Sequence, residues 1–347
     1  MERPPALTHP FGAPARFVVV GRSTMDSHHG AVTLQINLAP TDLPHARHIL
    51  PHQLRQLAAS VDEVLLVLDL HRSKGHRFAA AWEERRPGME ALLAELCARY
   101  PRAKVREVDY SPTTASAMAE RFFGGKPVPL KDSRGGPYYS YVYGLHAATH
   151  DLVFHLDADI LLGGGSPTWV SEAVRLLDSR PELLYCAPHP GPPAADGRLR
   201  IHLRGGIEPD SSVPSGFLMR RFSTRVFLMD RRRLLERLVP LKRKLAPPIH
   251  LLRALRAGNP PYREPENILT RAMEREGLRR LDFLGQSPGL WSLHPKWRSK
   301  EFYDALPEVI RRVEAGDMPE AQRGDDDLND SLVDWTSARA ALRQRKS

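Results

Sequence analysis

Cysteine is nearly missing. The 347 residues hold two, Cys97 and Cys186, far apart and each in apolar surroundings, which excludes a disulfide framework and predicts two reduced core thiols. No stretch reaches about 18 uninterrupted apolar residues, so no segment reads as a membrane span. Residues 1–16, MERPPALTHPFGAPAR, lack the apolar core of a secretion signal, and a flexible 1–15 on a cytoplasmic protein is expected. Glycine is sparse where it would matter most: the strand-like VVVGRSTM carries one, too few for the Gly-rich phosphate loop of a sugar-nucleotide pyrophosphorylase. Internal repeats are absent. No recognised nucleic-acid module accompanies the charge, so nucleic acid is not an expected partner.

What is present is a folded, basic α/β chain. Hydrophobic residues make up 41%, enough for one large core or two modest ones, and 50 Lys and Arg against 41 Asp and Glu give +9, which favours anionic partners. Apolar strand patterns at 16–23, 62–70, 104–110 and 151–160 alternate with helical spacing at 46–61, 88–100 and 138–149. Strands separated by helices imply parallel crossovers, and ligands on such sheets sit at the carboxyl ends of the strands. Asp69 and Asp157 end two of these strands, so both are expected at one edge of the sheet. Beyond them, 188–206 is rich in Pro and Gly and reads as a long loop with a hairpin. Residues 222–238 read as a strand running into a helix, and 264–278 and 302–316 as helices.

The segment DLVFHLDADILLGGG, 151–165, carries the chemistry. Asp157 and Asp159 at i and i+2 share one face of a strand, where two carboxylates can hold Mn²⁺ or Mg²⁺ with a phosphate completing the shell. Such a metal would stabilise charge on a diphosphate leaving group. The plainer reading has both acids capping the turn that the glycines demand.

RGGPYYSYVYGLHAATHDLVFHLDADI, 134–160, resembles GT-A glycosyltransferases of the family 2 type: an Arg/Gly turn, a helix, and a strand ending in Leu-Asp-Ala-Asp. VDEVLLVLD, 61–69, is similar to that family's second strand, and REPENILTRAMEREG, 263–277, to its acidic motif and helix. The resemblance implies a GT-A type, Rossmann-like, mostly parallel central sheet flanked by helices, with a C-terminal acceptor-side region. It implies transfer of a hexosyl group from a nucleotide-diphospho-sugar to an unknown acceptor, with Mn²⁺ or Mg²⁺. Asp69 would touch the nucleotide base, Arg134 the phosphates, and Asp157 with Asp159 the ribose and metal. Glu266 or Glu264 would be the catalytic base, with Glu266 preferred. Two departures stand out: Pro265 separates the two glutamates, and GRSTMDSHHG follows the first strand pattern in place of a short Pro-containing turn.

His294, in WSLHPKW, is placed where some related enzymes carry a metal-binding histidine, and Trp291 and Trp297 are candidate sugar contacts or core. Basic and apolar residues interleave over 231–256 with Glu236 the only acid, a pattern for peripheral membrane contact or for a helix with a solvated basic face. The expected organisation is a nucleotide-sugar-binding half at 16–165, an acceptor-side and catalytic half at 166–300, and at 301–347 a helix with an acidic, mobile tail. Two rival readings remain. One is a non-catalytic sugar-nucleotide or carbohydrate-binding protein on the same scaffold. The other is a haloacid dehalogenase-type phosphohydrolase, whose Asp-x-Asp-x-x-Leu strand end DADILL also matches.

Overall fold

A computed structural model describes residues 30–72, 81–200 and 206–344. Its strands are β1 (Val32–Leu38), β2 (Glu63–Leu68), β3 (Ala103–Glu107), β4 (Leu152–Asp157), β5 (Leu161–Gly163), β6 (Leu183–Pro190), β7 (Ile207–Asp210), β8 (Gly216–Met219), β9 (Val226–Asp230), β10 (Arg279–Phe283) and β11 (Trp291–Leu293). Its helices are α1 (Leu43–Leu57), α2 (Trp82–Arg99), α3 (Pro112–Phe123), α4 (Tyr139–Ala147), α5 (Trp169–Ser179), α6 (Arg231–Arg237), α7 (Pro248–Ala257), α8 (Pro265–Glu276), α9 (Lys300–Ala315) and α10 (Thr336–Gln344).

One mixed sheet runs in the order β3-β2-β1-β4-β9-β6-β10-β8-β7, with β11 joining β6 to β5. β3, β2, β1 and β4 are parallel neighbours, β6 and β10 continue that direction, and β5, β8 and β9 run against it. The sheet is mostly parallel and flanked by helices. Leu34, Ile36, Val64, Leu66 and Phe154 point to one face, packed with Leu50, Leu54 and Leu93 of α1 and α2 and with Val174 of α5. Leu65, Val67 and Val153 point to the other, against Phe122 of α3, Val142 of α4 and Ile268 of α8. A strand's period of two divides each run between the two cores.

The first strand departs from expectation. Residues 16–23 lie outside the described residues, and the strand beside β2 is VTLQINL, with every residue buried. Its polar positions turn inward: Thr33 donates to Glu63, and Gln35 Nε2 donates to Asn37 Oδ1 at 2.9 Å, while Gln35 Oε1 and Asn37 Nδ2 have no partner among the described residues. Gln35 lies against Gly144 so closely that a Cβ there would sit 2.1 Å from its Nε2, so only glycine allows α4 to approach. After β1 the chain turns through Ala39-Pro40, so a short Pro-containing turn does follow the strand that leads into the site. Part of the Pro-rich stretch at 188–206 also differs: Pro188–Pro190 complete β6 and are buried.

The acidic stretch 323–335 is docked rather than loose. Leu328, Val333 and Trp335 are buried with Phe302 and Leu306 of α9, and Trp335 Nε1 donates to the Leu328 carbonyl at 2.8 Å. Its weak patterning hid a few large anchors spaced along an otherwise polar run. Cys186 is buried and Cys97 half-buried, both as free thiols.

Candidate functional site

Register sets the site. Leu38 pairs with Leu68, and Asn37 with Asp157, so Asn37, Asp69 and Asp157 leave the sheet side by side at its carboxyl edge. Asp69 and Asp157 thus share one edge, as their strand-end positions predict. They open onto a cleft of about 390 Å³ whose walls include Asp42, Lys131, Arg134, Tyr141, Arg225, Glu266, His294 and Arg298.

Asp69 is buried and fully engaged. Its Oδ2 receives Lys131 Nζ at 2.7 Å, and its Oδ1 receives the Tyr110 hydroxyl at 2.7 Å and the His71 amide at 2.8 Å. Arg134 stands on a tight turn in which Asp132 Oδ1 accepts the amides of Arg134 and Gly136, each at 2.8 Å, with Gly135 at φ +79°. Its Nε pairs with Glu264 Oε1 at 3.0 Å on the rim. Glu264 is the N-cap residue of α8, whereas Glu266, in its first turn, lines the cleft and accepts the Thr224 amide at 3.1 Å.

The paired aspartates part company. Asp157 keeps 21% of its side chain exposed, accepts the Tyr141 hydroxyl on Oδ1, and has His155 Nε2 at 3.4 Å. Burial, then the Asp157 charge, pushes the Tyr141 hydroxyl well above its ordinary pKa, so it stays a donor. β4 ends at Asp157, and the turn that follows sends Asp159 away from the cleft lining, with 1% of its side chain exposed. There Arg298 holds Oδ2 through Nε at 2.9 Å and Nη2 at 2.8 Å, while its Nη1 reaches Asp42 at 3.0 Å. Burial alone would raise the Asp159 carboxyl, but Arg298 above all, with His294, more than offsets it and holds the group below the usual carboxylate range. Beside them His45 is driven down to about 3, by burial first and then by Arg298, so it is neutral.

These residues do not fit a divalent ion shared by Asp157 and Asp159. One carboxylate faces the cleft, and the other already holds a guanidinium that would repel a second cation. Among the described residues Asp159 Oδ1 has no hydrogen-bond partner, a single vacant oxygen where several are needed. His294 lies 3.7 Å from Asp159 and 3.5 Å from Asp327, so it bridges carboxylates. Among the described residues no group of three or more His, Cys, Asp or Glu is arranged to hold a metal.

Neither tryptophan is a sugar platform here. Trp291 is buried in β11, its ring lying where a Cβ on Gly163 would be, 2.0 Å from Cζ2. Trp297 packs edge-on against Trp335, with ring centroids 5.3 Å apart, and lies outside the cleft lining. Sequence reasoning passed over Asn37, Asp42, Lys131, Tyr141, Arg225 and Arg298. Asn37 had a usable signal, the V-T-L-Q-I-N-L alternation running into a proline turn. Asn37 lines the cleft, and its Nδ2 is buried without a partner among the described residues.

No family model matches the chain, and no curated protein matches it in sequence. Solved structures are similar in fold at low identity. S. aureus TarS 1–349 aligns over 84% of this chain and 67% of its own, at 11% identity and a TM-score of 0.38. A structure of the same protein in complex with UDP-GlcNAc aligns at 10% identity over 84% and 68%, also with a TM-score of 0.38. An active-site mutant of LgtC aligns at 12% identity over 84% of this chain and 99% of its own, with a TM-score of 0.37. At such scores the chemistry has to be read from the cleft itself.

Proposed function

We propose that the cleft binds a nucleotide-diphospho-sugar and transfers its glycosyl group to an acceptor, on a sheet of the GT-A type. The observation that carries the proposal is convergence: three parallel strand ends deliver Asn37, Asp69 and Asp157 to one wall of a cleft whose other walls hold Lys131, Arg134, Arg298 and Glu266. Strand-end carboxylates suit base and ribose hydroxyls, and the cations suit a diphosphate. Asp69 with Lys131 takes the nucleoside end and Asp157 the ribose. Arg134 and the cleft side of Arg298, whose side chain is 40% exposed, face the diphosphate.

Glu266 acts as the base. It takes the proton of an acceptor hydroxyl, the freed oxygen forms a bond to the anomeric carbon, and the bond from that carbon to the diphosphate breaks with its electron pair on the leaving oxygen. That single displacement inverts the anomeric centre. A second hollow of about 310 Å³ meets the cleft at Arg225 and Glu266 and is lined by Lys296, Arg280 and the docked Asp325–Asp327, which gives an acceptor its approach. Charge on the leaving diphosphate falls to the arginines, and no step passes through a metal.

The test is a screen of nucleotide-sugars for binding by calorimetry and for hydrolysis or transfer, each with EDTA and with Mn²⁺. One responding donor supports the proposal, and silence across the panel overturns it. Binding only with Mn²⁺ would restore the ion expected between Asp157 and Asp159. Binding with no turnover, unaltered by Glu266→Gln, would favour a carbohydrate-binding protein.

A further inference from the structure

The basic, apolar stretch 231–256 divides in two in the structure. α6 belongs to the body: Arg231 is buried and donates to the carbonyls of Leu145 and Ala148 at 2.8 and 2.9 Å, with Leu234 and Leu238 buried beside it. From Lys242 onward the chain reverses that pattern. Leu245, Ile249, Leu252 and Leu255 are 48% to 64% exposed, and they are four of the six exposed large hydrophobics among the described residues. On α7, positions 249, 252 and 255 follow one another at helical spacing along one side, while Ala254 faces inward.

The charge around this stripe has one sign. From Arg237 to Arg263 the sequence holds seven Lys or Arg and no Asp or Glu. Lys242, Lys244, Arg253 and Arg256 are exposed, and none of their side chains makes an ion pair or hydrogen bond to another described residue. Elsewhere many surface arginines are paired with carboxylates, as at Arg86–Glu90 and Arg311–Glu308.

We propose that α7 and the segment leading into it, 242–257, dock on an anionic bilayer surface. Charge complementarity selects that occupant. A second copy of the same face would bring like charges together, and an apolar protein groove would leave the cations without counter-ions. A layer of acidic headgroups over acyl chains meets both needs at one depth: leucine and isoleucine enter the boundary while lysine and arginine stay with the phosphates. A helix of ten residues gives a peripheral, reversible and salt-sensitive contact. The segment is fixed to the cleft wall, since Ala246 N donates to Pro261 O at 2.8 Å and Ser133 N to Tyr262 O at 2.7 Å, next to the turn carrying Arg134. The docking itself does not depend on the proposed chemistry.

The experiment is co-sedimentation of the full chain with phosphatidylcholine vesicles, with and without phosphatidylglycerol, at low and high salt. Binding to the mixed vesicles at least about tenfold above the neutral ones, and falling with salt, is expected. Ile249→Ser/Leu252→Ser and, separately, Arg253→Gln/Arg256→Gln should each cut it about tenfold, with the melting temperature checked for both. The single Leu255→Ser gives a milder check on folding, with a smaller drop. No preference for acidic vesicles overturns the proposal, as does binding that survives loss of the apolar pair. Concentration-dependent dimers that Leu252→Ser dissolves, without vesicle binding, would assign the face to a second copy and overturn it too.

Discussion

The cleft and the α7 face are both rich in arginine and lysine, yet they treat charge in opposite ways. In the cleft each cation rests on a carboxylate: Lys131 on Asp69, Arg134 on Glu264, Arg225 on Asp326 and Asp327, Arg298 on Asp42 and Asp159. On α7 and the segment before it, Lys242, Lys244, Arg253 and Arg256 have no such partner among the described residues. A paired cation is held in place and presents a fixed direction to a ligand, whereas an unpaired one on a long stem adapts to a surface that has no fixed geometry. Net charge alone, +9 for the chain, hides that distinction.

The largest expected effect follows from breaking the pair that holds the most buried of those carboxylates, Asp159. Arg298→Met leaves the buried Asp159 without its main counter-ion, and should cost about 3 kcal/mol or more in urea unfolding near neutral pH. Adding Asp159→Asn should recover much of that loss while nucleotide-diphosphate affinity stays low. If the single variant were as stable as wild type, the pair would not be holding the turn.

Glu266→Gln should lower transfer by about a hundredfold, near 2.7 kcal/mol of barrier, with donor affinity and melting temperature little changed. Near-normal turnover would move the base to Glu264.

A third contrast lies within the sheet. Glu63, buried at the start of β2, would have its carboxyl raised by burial, but Lys104, Thr33 and Thr149 more than compensate and bring it down to about 2. A depressed pKa contributes stability that is complete above the unfolded value of 4.5 and is lost as pH falls toward 2. Glu63→Gln should therefore cost on the order of 2 kcal/mol at pH 7 and far less near pH 2, read from denaturant titrations at both. A cost independent of pH would mean that hydrogen bonding, not charge, accounts for it. The smallest effect belongs to the exposed rim pair: Arg134→Gln should change stability by less than about 1 kcal/mol, so any fall in donor affinity reports on ligand contact.

The amino-terminal half of the sheet was legible because buried parallel strands announce themselves as apolar runs: 62–70 and 151–160 became β2 and β4, with Asp69 and Asp157 at the expected edge. β1 escaped because Thr33, Gln35 and Asn37 made it look half polar, although all three side chains are buried. The acidic pair in Asp-x-Asp was read as one unit from the period of two. The strand stops at Asp157, and once the period is broken nothing in the spacing reveals that Asp159 turns inward to Arg298, 139 positions away. Trp291 and Trp297 were ambiguous for a related reason: an aromatic pair looks the same in sequence whether it faces a ligand or Gly163 and Trp335.

One contact made early in the chain governs the cleft without touching it. Gln53, buried in α1, donates through its Nε2 to the carbonyls of Asp157 and Ile160 at 2.9 and 2.8 Å, clasping both ends of the turn between the two aspartates. Next to it His52 accepts the Leu162 amide at 3.0 Å and meets Glu314 of α9 at 2.8 Å. The turn is thus held from α1 alone, with α9 bracing that grip through His52. The backbone that carries the Asp157 carboxylate into the cleft is thus fixed from helices whose own residues do not line it.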